Sequence, residues 1–134
     1  MTDFTYLPDE GLVDALIMEI ADLLRRLIEH DEAGSTDPLR LPLSPSRLTL
    51  DHCLGQGEIA VLLDAAGRST IRETSFPGVW WTTHADDTGR VIAMLIEVAF
   101  VPHIVRADID DVARGCQRLP GATNAARRAR RTVA

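Results

Sequence analysis

Between Glu58 and Pro102 apolar and polar residues alternate in four short runs separated by turn signals. In the first, Ile59, Val61 and Leu63 share one face and Ala60, Leu62 and Asp64 the other, which is the two-residue period of a strand. The stretch AAGR lets the chain reverse, Arg68 to Thr74 reads as a second strand, and Pro77-Gly78 punctuates it before a third, Val79 to His84. The turn DDTG at 86–89 then predicts a hairpin into a fourth strand, Arg90 to Val101, because Asp bonds its own backbone and Gly tolerates positive φ. Along that strand Ile92, Met94, Ile96, Val98 and Phe100 point one way and form the expected core face. In the third strand Trp80, Thr82 and His84 are expected to face inward, leaving Trp81 outside with Val79 and Thr83.

The flanking segments carry the helical period. Leu12, Val13, Leu16, Ile17, Ile20, Leu23, Leu24, Leu27 and Ile28 fall within an arc of roughly 160° and predict a long amphipathic N-terminal helix. Asp9 and Glu10 suit its positive end, and Gly34 with Asp37-Pro38 marks the exit. That stripe packs on the sheet; its width also leaves room for contact with a second subunit, so a homodimer is an option. Residues 33–45, rich in Pro, Gly, Ser and Thr, read as a loop. Ser44 as cap and Pro45 at the first helical position start a short helix with Leu50, Cys53 and Leu54 on one side, ending at Gly55. The following GQGEIA matches G-x-G-x-x-A but follows a helix and opens a strand, the reverse of a dinucleotide fingerprint, and is discarded. From Pro102 to Leu119 the pattern is helical again, with Val105, Ile109, Val112, Ala113, Cys116 and Leu119 in an arc of about 120° and Asp108 placed to cap a second piece. Beyond Pro120-Gly121, ATNAARRARRTVA has no apolar face to bury and is expected to be disordered.

These elements predict an α+β fold: a four-stranded, mostly antiparallel sheet with the N-terminal and C-terminal helices packed on one face. Connections of about two to six residues are too short for parallel crossovers. Residues 1–119 would form a single domain and 120–134 a basic tail.

Composition narrows the class. With 134 residues, 46% hydrophobic and 25% charged, the chain has enough apolar side chains for one soluble core. No apolar run approaches the ~20 residues of a membrane span, and the acidic start MTDFTYLPDE lacks a secretion-signal pattern, so a cytoplasmic location without membrane insertion is expected. Cys53 and Cys116 are isolated and are expected to be buried thiols. All 20 acidic residues and nine of the 14 basic ones lie in residues 1–117, a net −11, whereas the last 17 residues carry five Arg and no acid. The acidic body and the lack of an aromatic platform beside RRARR argue against nucleic-acid binding. Every basic residue is Arg, which is attributed to genomic composition.

Candidate chemistry is sparse. His30, His52, His84 and His103 are scattered over different elements without HxH or HExxH spacing, so no metal site and no cofactor are expected. There is no G-x-S-x-G and no phosphate loop ending in GK[ST]. Glu58, Glu73 and Glu97 sit in or beside strands, where carboxylates are poor strand formers. A pair of them converging in one pocket would support acid–base chemistry, the alternative enzymatic reading. The plainer reading is that they face an edge or pair with Arg, with Arg72 as the obvious partner.

Three motifs in fixed order, LGQGEIAVLL, IRETSFPGVWW and IEVAFVPHIV, resemble the C-terminal domain of the HupH/HyaF family of accessory proteins for uptake [NiFe]-hydrogenases. The shared pattern is LG-x-GE-[IV], I-x-E-[TS], F-x-GVW and [IL]EV-x-x-[IV]P, covering residues 44–106. The chain looks like the short single-domain relatives, and it departs from the family in having Trp81 where Arg usually follows the Trp. The resemblance implies a non-enzymatic, chaperone-like role in maturing the iron-sulfur small subunit, alongside rubredoxin-like and thioredoxin-like accessory proteins. A chain without ligand-spaced cysteines does not hold a cluster by itself, which suits client binding better than electron carriage. Arg72, Glu73, Val79 and an exposed Trp81 are the expected partner-binding residues, an aromatic anchor ringed by polar groups.

Overall fold

The computed structural model describes residues 8–38, 46–65 and 67–133. Contacts divide the chain into two units, Met1–Pro102 and His103–Ala134. The first contains α1 (Pro8–His30), β1 (Gly34–Thr36), α2 (Ser46–Leu54), β2 (Ala60–Ala65), β3 (Gly67–Glu73), β4 (Val79–Ala85) and β5 (Val91–Val98). The second contains a 3-10 turn at His103–Val105, α3 (Ile109–Arg118), another at Leu119–Gly121, and α4 (Ala122–Val133).

The fold is α+β with an antiparallel sheet, as the alternation predicts. It has five strands rather than four, in the order β1-β5-β4-β3-β2. The four expected strands form a meander of short hairpins, and β1 adds beside β5 with Gly34 opposite Val98. The unforeseen strand is only Gly-Ser-Thr, without an apolar alternation to betray it. Gly34 is the exit glycine by sequence, but α1 already stops at Asp31, whose φ is +53° and whose N–H bonds Leu27 C=O at 3.0 Å. Gly34 instead lets β1 approach α1, since a Cβ there would lie 2.6 Å from Leu23 Cδ2.

The core lies between one face of the sheet and the first two helices. Val13, Leu16, Ile20 and Leu27 of α1 and Leu50 and Leu54 of α2 meet Val79, Trp81, Ile96 and Val98, with Ile17, Leu23, Leu24 and Met94 packed against them. Fully burying an aliphatic side chain of this size contributes about 1.5–3 kcal/mol, so this cluster is what holds helices to sheet. The α1 stripe is narrower than its sequence arc: Leu12 and Ile28, at its margins, are exposed. On β5 the expected face is right in the middle, while Ile92 and Phe100 at its ends are exposed.

Two expectations are corrected. In β4 the facing is the reverse of that expected: Val79 and Trp81 enter the core, and Trp80 and Thr82 face away from α1 and α2 although both are also buried. Burial on both faces removes the alternation that would set the phase, and a one-residue slip flips every side chain. Cys53 and Cys116 are exposed, not buried. In α2 the buried side is Ser46, Leu50 and Leu54, spaced by four, which turns Cys53 away.

The second unit holds Asp108 as the cap of α3, its carboxylate accepting from the Asp110 N–H at 3.0 Å. Ile109, Val112 and Leu119 are exposed. Residues 122–133, expected to lack structure, are helical with no buried residue. Ala and Arg are among the strongest helix formers, so propensity supplies what an apolar face does not. The Ser44-Pro45 cap and the first-turn side chains of Asp9 and Glu10 lie outside the described residues.

Candidate interaction site at one end of the sheet

The start of β2, the end of β3, the start of β4 and the end of β5 lie at the same end of the sheet, and there the three sequence motifs meet. Gly55, with φ +67°, ends α2 and its N–H bonds Asp51 C=O at 2.9 Å; a left-handed residue at this position is what a helix exit commonly requires. The chain then runs against β3: Gly57 N–H donates to Glu73 C=O at 2.8 Å, and Glu73 N–H donates to Ile59 C=O at 2.8 Å. A Cβ on Gly57 would stand 2.5 Å from Thr74 O and 2.6 Å from Glu73 Oε1, so this approach admits only glycine without displacement. Ser75 ties back to α2, its N–H and hydroxyl both donating to Leu54 C=O at 2.8 and 2.7 Å.

The turn from β3 to β4 is organised by Thr74. Its hydroxyl donates to Val79 C=O at 3.0 Å, Phe76 N–H donates to Thr74 Oγ1 at 3.2 Å, and Val79 N–H closes on Phe76 C=O at 2.9 Å. Gly78 C=O accepts from Ala99 N–H at 2.9 Å, and Trp80 Nε1–H donates to Ala99 C=O at 2.9 Å. The start of β4 is thereby tied to Ala99 at the exit of β5. From this frame Ile59, Phe76, Phe100 and Val101 emerge exposed, giving the first unit a group of large apolar side chains at one end of its sheet.

The four expected partner-binding residues differ in exposure, Arg72 and Glu73 being half-buried. Val79 is fully buried and Trp81 is 5% exposed, so the aromatic anchor expected on the surface is in the core. Arg72, directly opposite Trp81 in the ladder, places its guanidinium 5.2 Å from the centre of the indole. Its other contacts are an ion pair with Asp51 on α2 and a 2.8 Å hydrogen bond to Gly55 C=O. Arg72 therefore clasps α2 to the sheet, at the wall of an open cleft of about 380 Å³ lined by Leu48, Asp51, His52, Gly55, Gln56 and Arg72. Its sequence-proposed partner was a glutamate; the pairing with Asp51, 21 residues away, left no local signal.

The three glutamates do not converge. Glu73 Oε1 accepts from the backbone N–H of Glu58 at 3.2 Å, leaving the Glu58 side chain exposed. Glu73 and Glu97 are the two cross-strand neighbours of Trp80, one on each side, which puts their backbones two strand spacings, about 10 Å, apart with the indole between. Among the described residues no three His, Cys, Asp or Glu side chains group as metal ligands. His84 bonds Ser69 through Nδ1 at 2.5 Å. No helix among the described residues is long and apolar enough to cross a membrane. What this end of the sheet offers chemically is an apolar surface on a rigid polar frame, suited to binding a protein.

Comparison with known proteins agrees with the motifs. Residues 13–126 match the family model of the HupH hydrogenase expression protein, C-terminal conserved region. The hydrogenase expression/formation protein HoxQ of Azotobacter vinelandii is 31% identical over 121 residues, covering 84% of this chain and 41% of that protein. HupH of Rhodobacter capsulatus is 32% identical over 113 residues, covering 78% of this chain and 40% of its own. The chain thus spans about two fifths of the length of these curated relatives. The solved structure of the hydrogenase expression protein HupH from Thiobacillus denitrificans ATCC 25259 superposes with a TM-score of 0.77 at 43% identity, covering 85% of this chain and 96% of that one. With the motifs interlocked at one end of the sheet and the match running through most of its length, the chain belongs to the HupH hydrogenase expression protein family, in that family's C-terminal conserved region.

Proposed function

We propose that this protein is a cytoplasmic accessory factor in the maturation of an uptake [NiFe]-hydrogenase, acting without catalysis by contact with the iron-sulfur small-subunit precursor. Rubredoxin-like and thioredoxin-like accessory proteins are its expected companions. The observation that carries this reading is the likeness, at 43% identity over 85% of the chain, to a protein described as a hydrogenase expression protein. The site supports contact rather than chemistry: its motifs build a frame, and the frame presents Ile59, Phe76, Phe100 and Val101 to solvent. In this reading Arg72, Glu73, Val79 and Trp81 hold the surface in shape, and the exposed aromatics touch the client. Exposed apolar groups on a rigid support are what a protein interface concentrates its binding energy on.

The test is complementation of a hydrogenase-producing strain lacking the gene. The wild-type gene should restore hydrogenase activity and mature small subunit, while a folded Phe76→Ala/Phe100→Ala variant should restore neither fully. Normal activity and normal small subunit in the strain without the gene would overturn the proposal.

A further inference from the structure

The two edges of the sheet are unlike. One is β1, three residues long; the other is β2, six residues in continuous register with β3 from Ala60↔Arg72 to Ala65↔Gly67. Natural sheets guard their edges with short strands, Pro, Lys or bulges. The β1 edge is guarded by its shortness, but AVLLDA has no Pro, no basic residue and one charge, Asp64. Leu62 is 60% exposed on the side of the sheet that carries the helices, in the same row as Thr70, Thr83 and Met94. The Ile59 carbonyl accepts from Glu73. Backbone groups alternate in direction along an antiparallel strand, so those of Val61 and Leu63 also turn toward β3, and those of Ala60, Leu62 and Asp64 turn to the open side.

We propose that β2 pairs with β2 of a second copy of this chain, antiparallel about a two-fold axis at Leu62, so that two five-stranded sheets become one. The register follows from the strand itself. Residues opposite one another in a ladder lie on one face, so a centre at Leu62 places Leu62 against its own copy, Val61 against Leu63, and Ala60 against Asp64. The outward backbone groups then meet at three positions, each able to exchange two hydrogen bonds. Charge selects the same centre. An axis at Asp64 would set two carboxylates face to face, which destabilises a pair. An axis at Leu62 sets each Asp64 beside Ala60, whose other cross-strand neighbour is Arg72. A strand whose apolar pattern is self-complementary, and whose carboxylate does not face its own copy, fits a second copy of itself.

Analytical ultracentrifugation of the full chain tests this. The expected mass at about 100 µM is twice the 14.7 kDa of one chain. Leu62→Lys, at an exposed position, should keep the circular dichroism spectrum and weaken self-association about tenfold or more, because like charges would meet on the axis. For register, Leu62→Cys in a Cys53→Ser/Cys116→Ser background should cross-link to its own copy on oxidation, and Ala60→Cys should not. A monomer throughout, even one whose β2 takes a strand from another protein, overturns the proposal. So does a dimer that Leu62→Lys leaves intact, or cross-linking at Ala60 in place of Leu62.

Discussion

Trp81→Ala separates a core residue from a surface anchor. The indole is 5% exposed, packed among Val79, Ile96 and Val98 with the Arg72 guanidinium over its ring. Truncating a buried Trp or Phe to Ala costs about 3–5 kcal/mol through lost transfer energy and the cavity left behind. The stacked Arg72 adds a contact of about 0.5–1 kcal/mol at most, since Arg72 keeps its ion pair with the part-exposed Asp51. A loss of about 4 kcal/mol is a large part of the ~5–15 kcal/mol that stabilises an ordinary domain. With a urea slope of about 2 kcal/mol/M, the midpoint should fall by about 2 M. Far-ultraviolet circular dichroism is the suitable probe, because removing the indole alters fluorescence. Trp81→Phe should lie between the two proteins. A fall of less than about 1 kcal/mol with an unchanged slope would mean that Trp81 is not in the core and that its facing in β4 has been misassigned.

Three further outcomes follow from particular contacts. Gly57→Ala should destabilise by about 1–3 kcal/mol in the same titration, because its Cβ meets the Thr74 carbonyl oxygen, which cannot swing away as a flexible side chain would. Trp80→Phe keeps most of the ring but leaves Ala99 C=O without its 2.9 Å donor, for a loss of about 1 kcal/mol or somewhat more, measured by thermal unfolding. Asp86 accepts from the Thr88 hydroxyl and from the Arg90 and Thr88 N–H groups, and these bonds hold its carboxyl below the ordinary value of 3.8. A depressed folded-state pKa stabilises above the unfolded value and is lost as pH falls through the folded one. The stability advantage of wild type over Asp86→Ala should therefore be full at neutral pH and shrink below about pH 4, as paired melts across pH would record.

The meander was legible because its strands alternate and its turns carry Pro-Gly, Asp and Gly at positions where those residues are needed. The remainder was hidden for distinct reasons. β1 is three small residues whose strand conformation comes from pairing with β5, a tertiary effect. In VWWT every residue is buried, so hydrophobicity could not say which Trp faces the helices, and the phase of β4 was read one residue out. That slip carried the candidate site with it, since it moved Trp81 from core to surface. Phe76 is readable as an apolar residue between two strands, whereas the alternation carries Phe100 into the fourth strand and onto its core face, because nothing in the pattern marks the end of β5 at Val98. Asp51 had no sequence signal as the partner of Arg72, because only the docking of α2 brings them together. The helix at 122–133 did have one: its Ala and Arg content outweighs the missing apolar face.

The most direct measurement of the functional account is co-purification of the tagged protein with a co-expressed hydrogenase small-subunit precursor. The precursor should be retained by wild type and largely lost from a folded Phe76→Ala/Phe100→Ala variant, since interface hot spots typically contribute about 2 kcal/mol or more each. No retention of the precursor by wild type, or equal retention by both proteins, would contradict it.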